Sequence, residues 1–197
     1  KINKNKFSLI QIKINKKKTN IINKLIKIGF KIESISDTYE KKTSGKFNHD
    51  YKIASINEYK ELTKISNNLF IHSRIKDKYF GKNSANKLYN HWIKRSISGK
   101  FDDCCLIISD NQKKINGFVT IKKINNFLKI GLFGIDKYSQ FKGYGTKLLQ
   151  TVNHYMLAKK VKKSIVTTQN DNIAAKKIYL KDGYKLKESN VWLYYKK

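Results

Sequence analysis

Gln140-Phe141-Lys142-Gly143-Tyr144-Gly145 is the stretch on which the fold turns. Before it lies Lys129 to Ile135, an apolar run that reads as a strand. After it, Leu148, Leu149, Val152, Tyr155 and Met156 recur at helical spacing. A strand, a tight loop with two glycines and a helix N-terminus together make an anion-binding arrangement. The glycines admit close backbone approach, and the free N–H groups of the first turn point at the ligand. Alone, the loop also reads as a plain strand-to-helix turn. It lacks the third glycine of a dinucleotide fingerprint and the Gly-Lys-Ser/Thr ending of a Walker A loop.

Three strand signals precede it in series: Cys104 to Ser109, Ile115 to Lys122 and Phe127 to Ile135, with turns at Asp110-Asn111-Gln112 and Asn125-Asn126. After the glycine loop and its helix come a strand over Ser164 to Gln169, a helix from about Asn172 to Lys181, and a closing strand over Val191 to Tyr195. Antiparallel hairpins followed by strand–loop–helix–strand–helix–strand specify a mixed α/β sheet, with its ligand site where the strand pairing changes.

Upstream, Phe7 to Ile14 and Phe30 to Ile35 read as strands around a helix over Asn20 to Ile28, and the polar segment Tyr39 to Asp50 reads as a linker centred on Thr43-Ser44-Gly45. Residues 1–44 are expected to form a partial N-terminal α/β domain and residues 45–197 the main domain. Tyr51 to Ile56 reads as a strand and Asn57 to Asn67 as a helix. Ile71 to Gly81 is irregular. The next helix has Ser84 as its N-cap and Leu88, Tyr89, Trp92, Ile93 and Ile97 as its apolar stripe.

The 197 residues carry a formal net charge of +29. Such charge suits a nucleic acid or a membrane surface. Yet only Arg74 and Arg95 are arginines, the lysines run through the whole chain with Ile and Asn, and proline is absent. This is a uniform compositional bias rather than a patch, and dedicated nucleic-acid sites favour arginine. No specific nucleic-acid partner is expected; a basic nucleic-acid-binding module is the alternative from a different class. No apolar run nears the roughly 20 residues of a membrane span, so no membrane insertion is expected. Cys104 and Cys105 are adjacent and should point to opposite faces of a strand as core residues, which suits a reducing cytoplasm. The chain starts without Met, and its beginning is expected to be truncated or processed.

Further residues narrow the reading. Thr167-Thr168-Gln169-Asn170-Asp171-Asn172-Ile173-Ala174-Ala175 leads to Tyr179 and then Gly183-Tyr184. With Gln140, Gly143 and Gly145 upstream, this pair of motifs resembles the GCN5-related N-acetyltransferase family. The resemblance implies a mixed, mostly antiparallel sheet flanked by helices, preceded by a small, truncated N-terminal α/β portion. It implies acetyl-CoA as co-substrate, no metal, and transfer of acetyl to an amine by direct attack. Ser139, Gln140, Phe141, Lys142, Gly143, Tyr144, Gly145 and Asn172 then become cofactor contacts. Tyr179 becomes the proton donor to the departing thiolate. For Asn172 a helix cap is the parallel reading, and for Tyr179 a core aromatic.

A second set of residues resembles those family members that acetylate nucleotide-linked amino sugars: Ile71-His72-Ser73-Arg74, Tyr79-Phe80, Tyr89 with Trp92-Ile93, Gly99 to Leu106, and Val191-Trp192-Leu193-Tyr194. This implies a nucleotide-sugar acceptor; a protein or small amine is the alternative. His72, Ser73 and Arg74 are candidate sugar-nucleotide contacts, or a solvated connection. Asp102 and Asp103 are candidate proton acceptors, or a turn ahead of a strand. Glu33, Asp37 and Glu40 are candidate bases. His91 and His154 read as surface residues, and a homodimer is left open.

Overall fold

The computed structural model describes residues 8–43, 51–67 and 69–197. The centre of the expected linker at Ser44-Gly45, the boundary between residues 44 and 45, and Phe7 of the first strand lie outside the described residues. The elements run β1 (Leu9–Asn15), α1 (Thr19–Lys27), β2 (Lys31–Lys42), β3 (Lys52–Ile53), α2 (Tyr59–Ser66), α3 (Asp77–Phe80), α4 (Ser84–Ile97), β4 (Cys104–Ser109), β5 (Ile115–Ile124), β6 (Phe127–Ile135), α5 (Tyr144–Ala158), β7 (Lys163–Gln169), α6 (Ile173–Lys181) and β8 (Lys185–Lys196). A 3-10 turn over Ile56–Glu58 leads into α2, and another over Lys137–Ser139 follows β6.

One eight-stranded sheet joins all of this, in the order β1-β8-β2-β7-β6-β5-β4-β3. The β4–β5–β6 meander follows the expected hairpins. The pairing is antiparallel everywhere except between β6 and β7, which are joined through α5. Parallel neighbours need such a crossover. The chain is thus a mixed α/β fold with a mostly antiparallel sheet, as the sequence implies.

Strand alternation sends apolar side chains to two faces. Leu106, Val119, Ile121, Leu128 and Ile130 pack beneath α5 and α6, with Leu148, Leu149, Val152 and Met156. Ile107, Phe118 and Leu132 pack beneath α2 and α4, with Leu62 and Ile93. A third cluster joins Ile22 of α1 to Phe30, Val191 and Leu193. Cys104 belongs to the first cluster and Cys105 to the second, both as free buried thiols, as alternation on a strand requires. Each fully buried Leu or Ile contributes about 1.5–3 kcal/mol over its exposed state.

The fold departs from the sequence reading in several places, and the strand expected over Tyr51 to Ile56 is only Lys52–Ile53. Tyr39 to Lys42 is strand rather than linker. β2 runs for twelve residues between β8 and β7, and Tyr39 is buried in the core. The final strand begins at Lys185, well before Val191. Helix α4 is capped from a distance: Ser84 is its first residue, and Asp77 accepts the N–H groups of Asn83 and Ser84 at 3.1 and 3.3 Å. Asp77 itself opens α3, inside the stretch expected to be irregular.

Candidate acetyl-transfer site

The site is created by a bulge. Along β5 and β6, Val119 faces Phe133 and Ile121 faces Ile130. One residue, Thr120, therefore opposes two, Gly131 and Leu132. The side-chain alternation of β6 flips across them: Ile130 and Phe133 both join the α5–α6 cluster, while Leu132 joins the other. The Leu132 N–H donates to Thr120 Oγ1 at 2.8 Å, closing the ladder around the extra residue. Gly131 is required there, because a Cβ would meet Thr120 Oγ1 at 2.6 Å and Trp92 Cζ2 at 3.1 Å.

A bulge bends its strand. The β6–β7 ladder ends at Ile130 and Val166, one residue before the bulge. Beyond that point the two strands part. Gly131 to Ile135 stays paired to β5, and Thr167 to Gln169 to β2, but not to each other. Backbone N–H and C=O groups that a continued ladder would consume are left open in the gap, and such groups require partners.

Both strands lead directly into helices at this end of the sheet. Helix α5 starts at Tyr144, with Gly143 as its N-cap in the left-handed region at φ 82°, and has no side-chain cap and no acidic residue in its first turn. Its first N–H groups and the positive end of its dipole are available to an anion. Gly143 has nothing within 4 Å of a built Cβ, whereas Gly145 is packed against Ile178 of α6. The close approach that Gly145 permits is therefore to α6. Within the loop, Ser139 is buried, its hydroxyl donating to Asn116 Oδ1 at 2.6 Å; Gln140 Nε2 donates to the Ile135 carbonyl at 3.4 Å; Phe141 is 98% exposed at φ 61°. Lys142 is exposed and Tyr144 packs partly against the core.

Helix α6 has a side-chain cap. Asn172 Oδ1 accepts the Ala175 N–H at 3.1 Å, which leaves its amide N–H₂ as a donor. Two turns on, Tyr179 is 3% exposed and lies against Phe133 in the parted stretch of β6, Tyr39 on β2, and Tyr184. Among the described residues its hydroxyl has no hydrogen-bond partner. Burial, with Tyr184 nearby, pushes its phenol above the ordinary tyrosine value.

The three candidate bases fall in three settings. Glu40 is half-exposed and pairs with Lys187 at 3.1 Å. Asp37 is buried and ties four elements together: Ser189 donates at 2.6 Å, Asn170 at 2.7 Å, and Lys176 lies at 3.4 Å. Burial opposes its ionisation, but these hydrogen bonds and the Lys176 charge hold it below the usual carboxylate value. Glu33 lies at a second irregularity, between the Ile32–Leu193 and Ser34–Trp192 pairs, and lines a cavity with His72, Lys76, Asn170 and Asp171.

Of the candidate acceptor contacts, His72 faces that cavity, with Nδ1 3.2 Å from Asp171 Oδ2. Ser73 bonds Tyr89 OH at 2.6 Å. Arg74 stacks on Trp192 at 3.8 Å and donates to Tyr194 OH and Gln11, each at 2.8 Å, so its guanidinium clamps β1 and β8. Asp103 accepts the Lys123 N–H at 2.8 Å, a strand-entry role. Asp102 is buried and accepts from Trp92 Nε1 at 2.6 Å. His154 is partly buried against Tyr51 rather than on the surface. The Gly131 bulge and the cavity residues Ser34, Lys76 and Asn170 escaped sequence reasoning. A lone glycine within a strand was the available signal for the bulge.

Comparisons with known proteins agree with this geometry. The chain is 25% identical to the dTDP-fucosamine acetyltransferase of Escherichia coli O6:H1, over 95% of this chain and 82% of that protein. A conserved protein of unknown function from Staphylococcus epidermidis superposes with a TM-score of 0.70 at 18% identity, covering 96% of this chain and 73% of that one. The paia N-acetyltransferase of Thermoplasma acidophilum, solved in complex with coenzyme A, superposes with a TM-score of 0.60 at 16% identity, covering 76% of this chain and all of that one. The acetyltransferase (GNAT) family pattern spans residues 69–184, from the loop after α2 through the bulge, the parted strands and both helix starts. With more than half its length in that pattern, this chain belongs to the GNAT acetyltransferase family and is an acyl-CoA-dependent N-acetyltransferase.

Proposed function

We propose that the chain transfers acetyl from acetyl-CoA to the 4-amino group of dTDP-4-amino-4,6-dideoxy-D-galactose (dTDP-fucosamine), a step in enterobacterial common antigen biosynthesis. The observation that carries the donor half is the parting of β6 and β7 between two helix N-termini. The groups there fit acetyl-CoA. The edge of Gly131 to Gly134 that faces away from β5, no longer laddered to β7, suits the amides of its pantetheine arm. The uncapped start of α5, with Gln140 to Gly145 before it, suits its pyrophosphate. Asn172 Nδ2 is a further donor. The similarity to the E. coli enzyme supports the acceptor, since it extends along 95% of this chain.

In this reading the amine, as its free base, attacks the thioester carbonyl directly. A C–N bond forms, the C–S bond breaks, and sulfur leaves as a thiolate whose conjugate thiol has a pKa of about 8.5. Tyr179 gives that sulfur a proton and recovers one from the nitrogen through solvent. A phenol held protonated by burial is suited to this. The rings of Phe133 and Tyr39 pack against Tyr179 and give the phenol apolar surroundings. The two buried thiols fit a reducing compartment, and we place the enzyme in the cytoplasm.

The test is thiol release from acetyl-CoA with dTDP-fucosamine set against a panel of simple amines and peptides. Preferred turnover of the sugar nucleotide supports the acceptor. Equal turnover of all amines overturns the acceptor and leaves the donor half standing.

A further inference from the structure

The cavity beside Asn172 has the features of a built binding site, and nothing described so far uses it. It measures about 260 Å³ and is lined by Glu33, Ser34, His72, Lys76, Asn170 and Asp171. The last two residues immediately precede Asn172, so it adjoins the parted strands. In a chain of net charge +29 it gathers two carboxylates. Glu33 is aimed there by the irregularity in β2, which lets it leave the regular alternation. Tyr79 OH, at 2.8 Å, and Lys78 Nζ, at 3.0 Å, both meet Glu33 Oε2. Among the described residues Oε1 has no such partner.

The neighbouring sheet face carries a row of polar groups. Ser36 stands between Asn190 of β8 and Gln169 of β7, with Ser34 one step along the same face. Ser34 Oγ, Gln169 Oε1 and Asn190 Nδ2 are buried without partners among the described residues. Leaving each unpaired is costly, so a hydroxyl-bearing ligand is the natural complement.

A second cavity of about 250 Å³ lies alongside, lined by Phe70, Ile71, Ile75, Lys76 and Asn83. It is of mixed polarity: Asp77 lines it with a carboxylate already taken up by the N–H groups of Asn83 and Ser84, and its aromatic ring and amide groups suit a nucleobase. Lys76 lines both cavities and has no carboxylate partner among the described residues. A ligand filling both would thus run an anionic link past one lysine.

We infer that the two cavities form one acceptor site for a nucleoside-diphosphate amino sugar: its sugar hydroxyls on Glu33 and over Ser34, its diphosphate at Lys76 and its nucleoside beside Phe70, with its amine directed along β2 toward the parted strands. This rests on the acetyltransferase function proposed above and adds where the acceptor lies. The sugar is held on the face of β2 opposite α6, and its amine, as the free base, reaches the gap between the parted strands, where Tyr179 waits for the departing sulfur.

Two variants separate the halves of the site. The readouts are the KM for dTDP-fucosamine, the inhibition constant of dTDP competing with it, and the Kd for CoA. Lys76→Gln is expected to raise both the KM and the dTDP inhibition constant at least tenfold. Glu33→Gln, which keeps the Tyr79 hydrogen bond, is expected to raise the KM at least tenfold and leave dTDP inhibition unchanged. Neither should shift the Kd for CoA. Parallel changes in both variants, or no change in either, overturn the inference while wild-type turnover keeps the function standing. Failure of the wild type to bind CoA removes both.

Discussion

A Cβ on Gly145 would collide with Ile178 Cδ1, so the absence of a side chain at the start of α5 sets how closely α6 can lie. Gly145→Val should push the two helices apart and cost about 1–3 kcal/mol, in the usual range for overpacking. Shortening the neighbour tests the cause: Ile178→Ala, introduced together with Gly145→Ala, should recover most of the stability that Gly145→Ala loses alone. Urea unfolding of the four proteins reads this as a positive coupling. Additive losses would show that Gly145 serves the ligand instead.

Gly143 obeys different physics two residues away. It sits at φ 82° with open space around its missing Cβ. Gly143→Ala should therefore cost about 1 kcal/mol of backbone strain with no packing loss. Because the N–H groups beside it face the proposed pyrophosphate position, calorimetry should show weaker CoA binding as well. Asn, which tolerates the left-handed region, should be milder than Ala in both measurements.

What the sequence disclosed and what it hid follow one division. Local signals were legible: the β4–β6 meander, the opposite burial of Cys104 and Cys105, the start of α6 at Asn172. Features whose partners lie far along the chain were not. Ser36, Asp37 and Thr38 look like surface residues, yet all are buried, because Trp192, Ser189, Asn170 and Thr167 supply their hydrogen bonds from β7 and β8 and the loop after β7. That polarity disguised the second half of β2 as a linker. Arg74 read as an anion contact because nothing nearby in sequence predicts that Trp192, well over a hundred residues on, will stack beneath it. The cavity by Glu33 is of the same kind, being assembled from β2, the loop after α2 and the end of β7.

Asn172 has two roles that one pair of substitutions can separate. Asn172→Ala removes the acceptor for the Ala175 N–H and should cost about 1 kcal/mol. Asn172→Ser restores the cap and stability but lacks the amide N–H₂. If that group serves the pantetheine arm, the serine variant should melt like the wild type yet bind CoA several-fold more weakly. Wild-type affinity in that variant would confine Asn172 to capping.

Asp37 predicts an acid limit to stability. Its carboxyl is held below its ordinary value of 3.8, so the folded state binds this proton less readily than the unfolded chain. Its contribution is therefore fully present above about pH 4 and is lost as pH falls through the lower folded value. Asp37→Asn should destabilise the protein by about 1.5–3 kcal/mol near neutrality, the range for hydrogen bonds to a charged group. The gap between variant and wild type should close below pH 4. Thermal melts from pH 2 to 7 would show the two curves converging; a constant gap would mean that Asp37 acts without its charge.

Tyr179 is the sharpest case, since its ring and its hydroxyl can be tested apart. The ring packs against Tyr39, Phe133 and Tyr184, and phenylalanine preserves that packing. Tyr179→Phe should therefore fold and bind CoA as the wild type does. Without the phenol the thiolate must leave unprotonated, and kcat should fall by roughly 10²–10⁴-fold, the range for a positioned acid. Burial raises the phenol above its ordinary value of 10.0, so Tyr179 should impose no alkaline limit on kcat below about pH 10. A thioester with a more acidic leaving thiol needs less help from the acid, and with it the gap between Tyr179→Phe and wild type should narrow. An unchanged kcat in Tyr179→Phe, or the same gap with both thioesters, would leave Tyr179 as a core aromatic and give the proton to solvent.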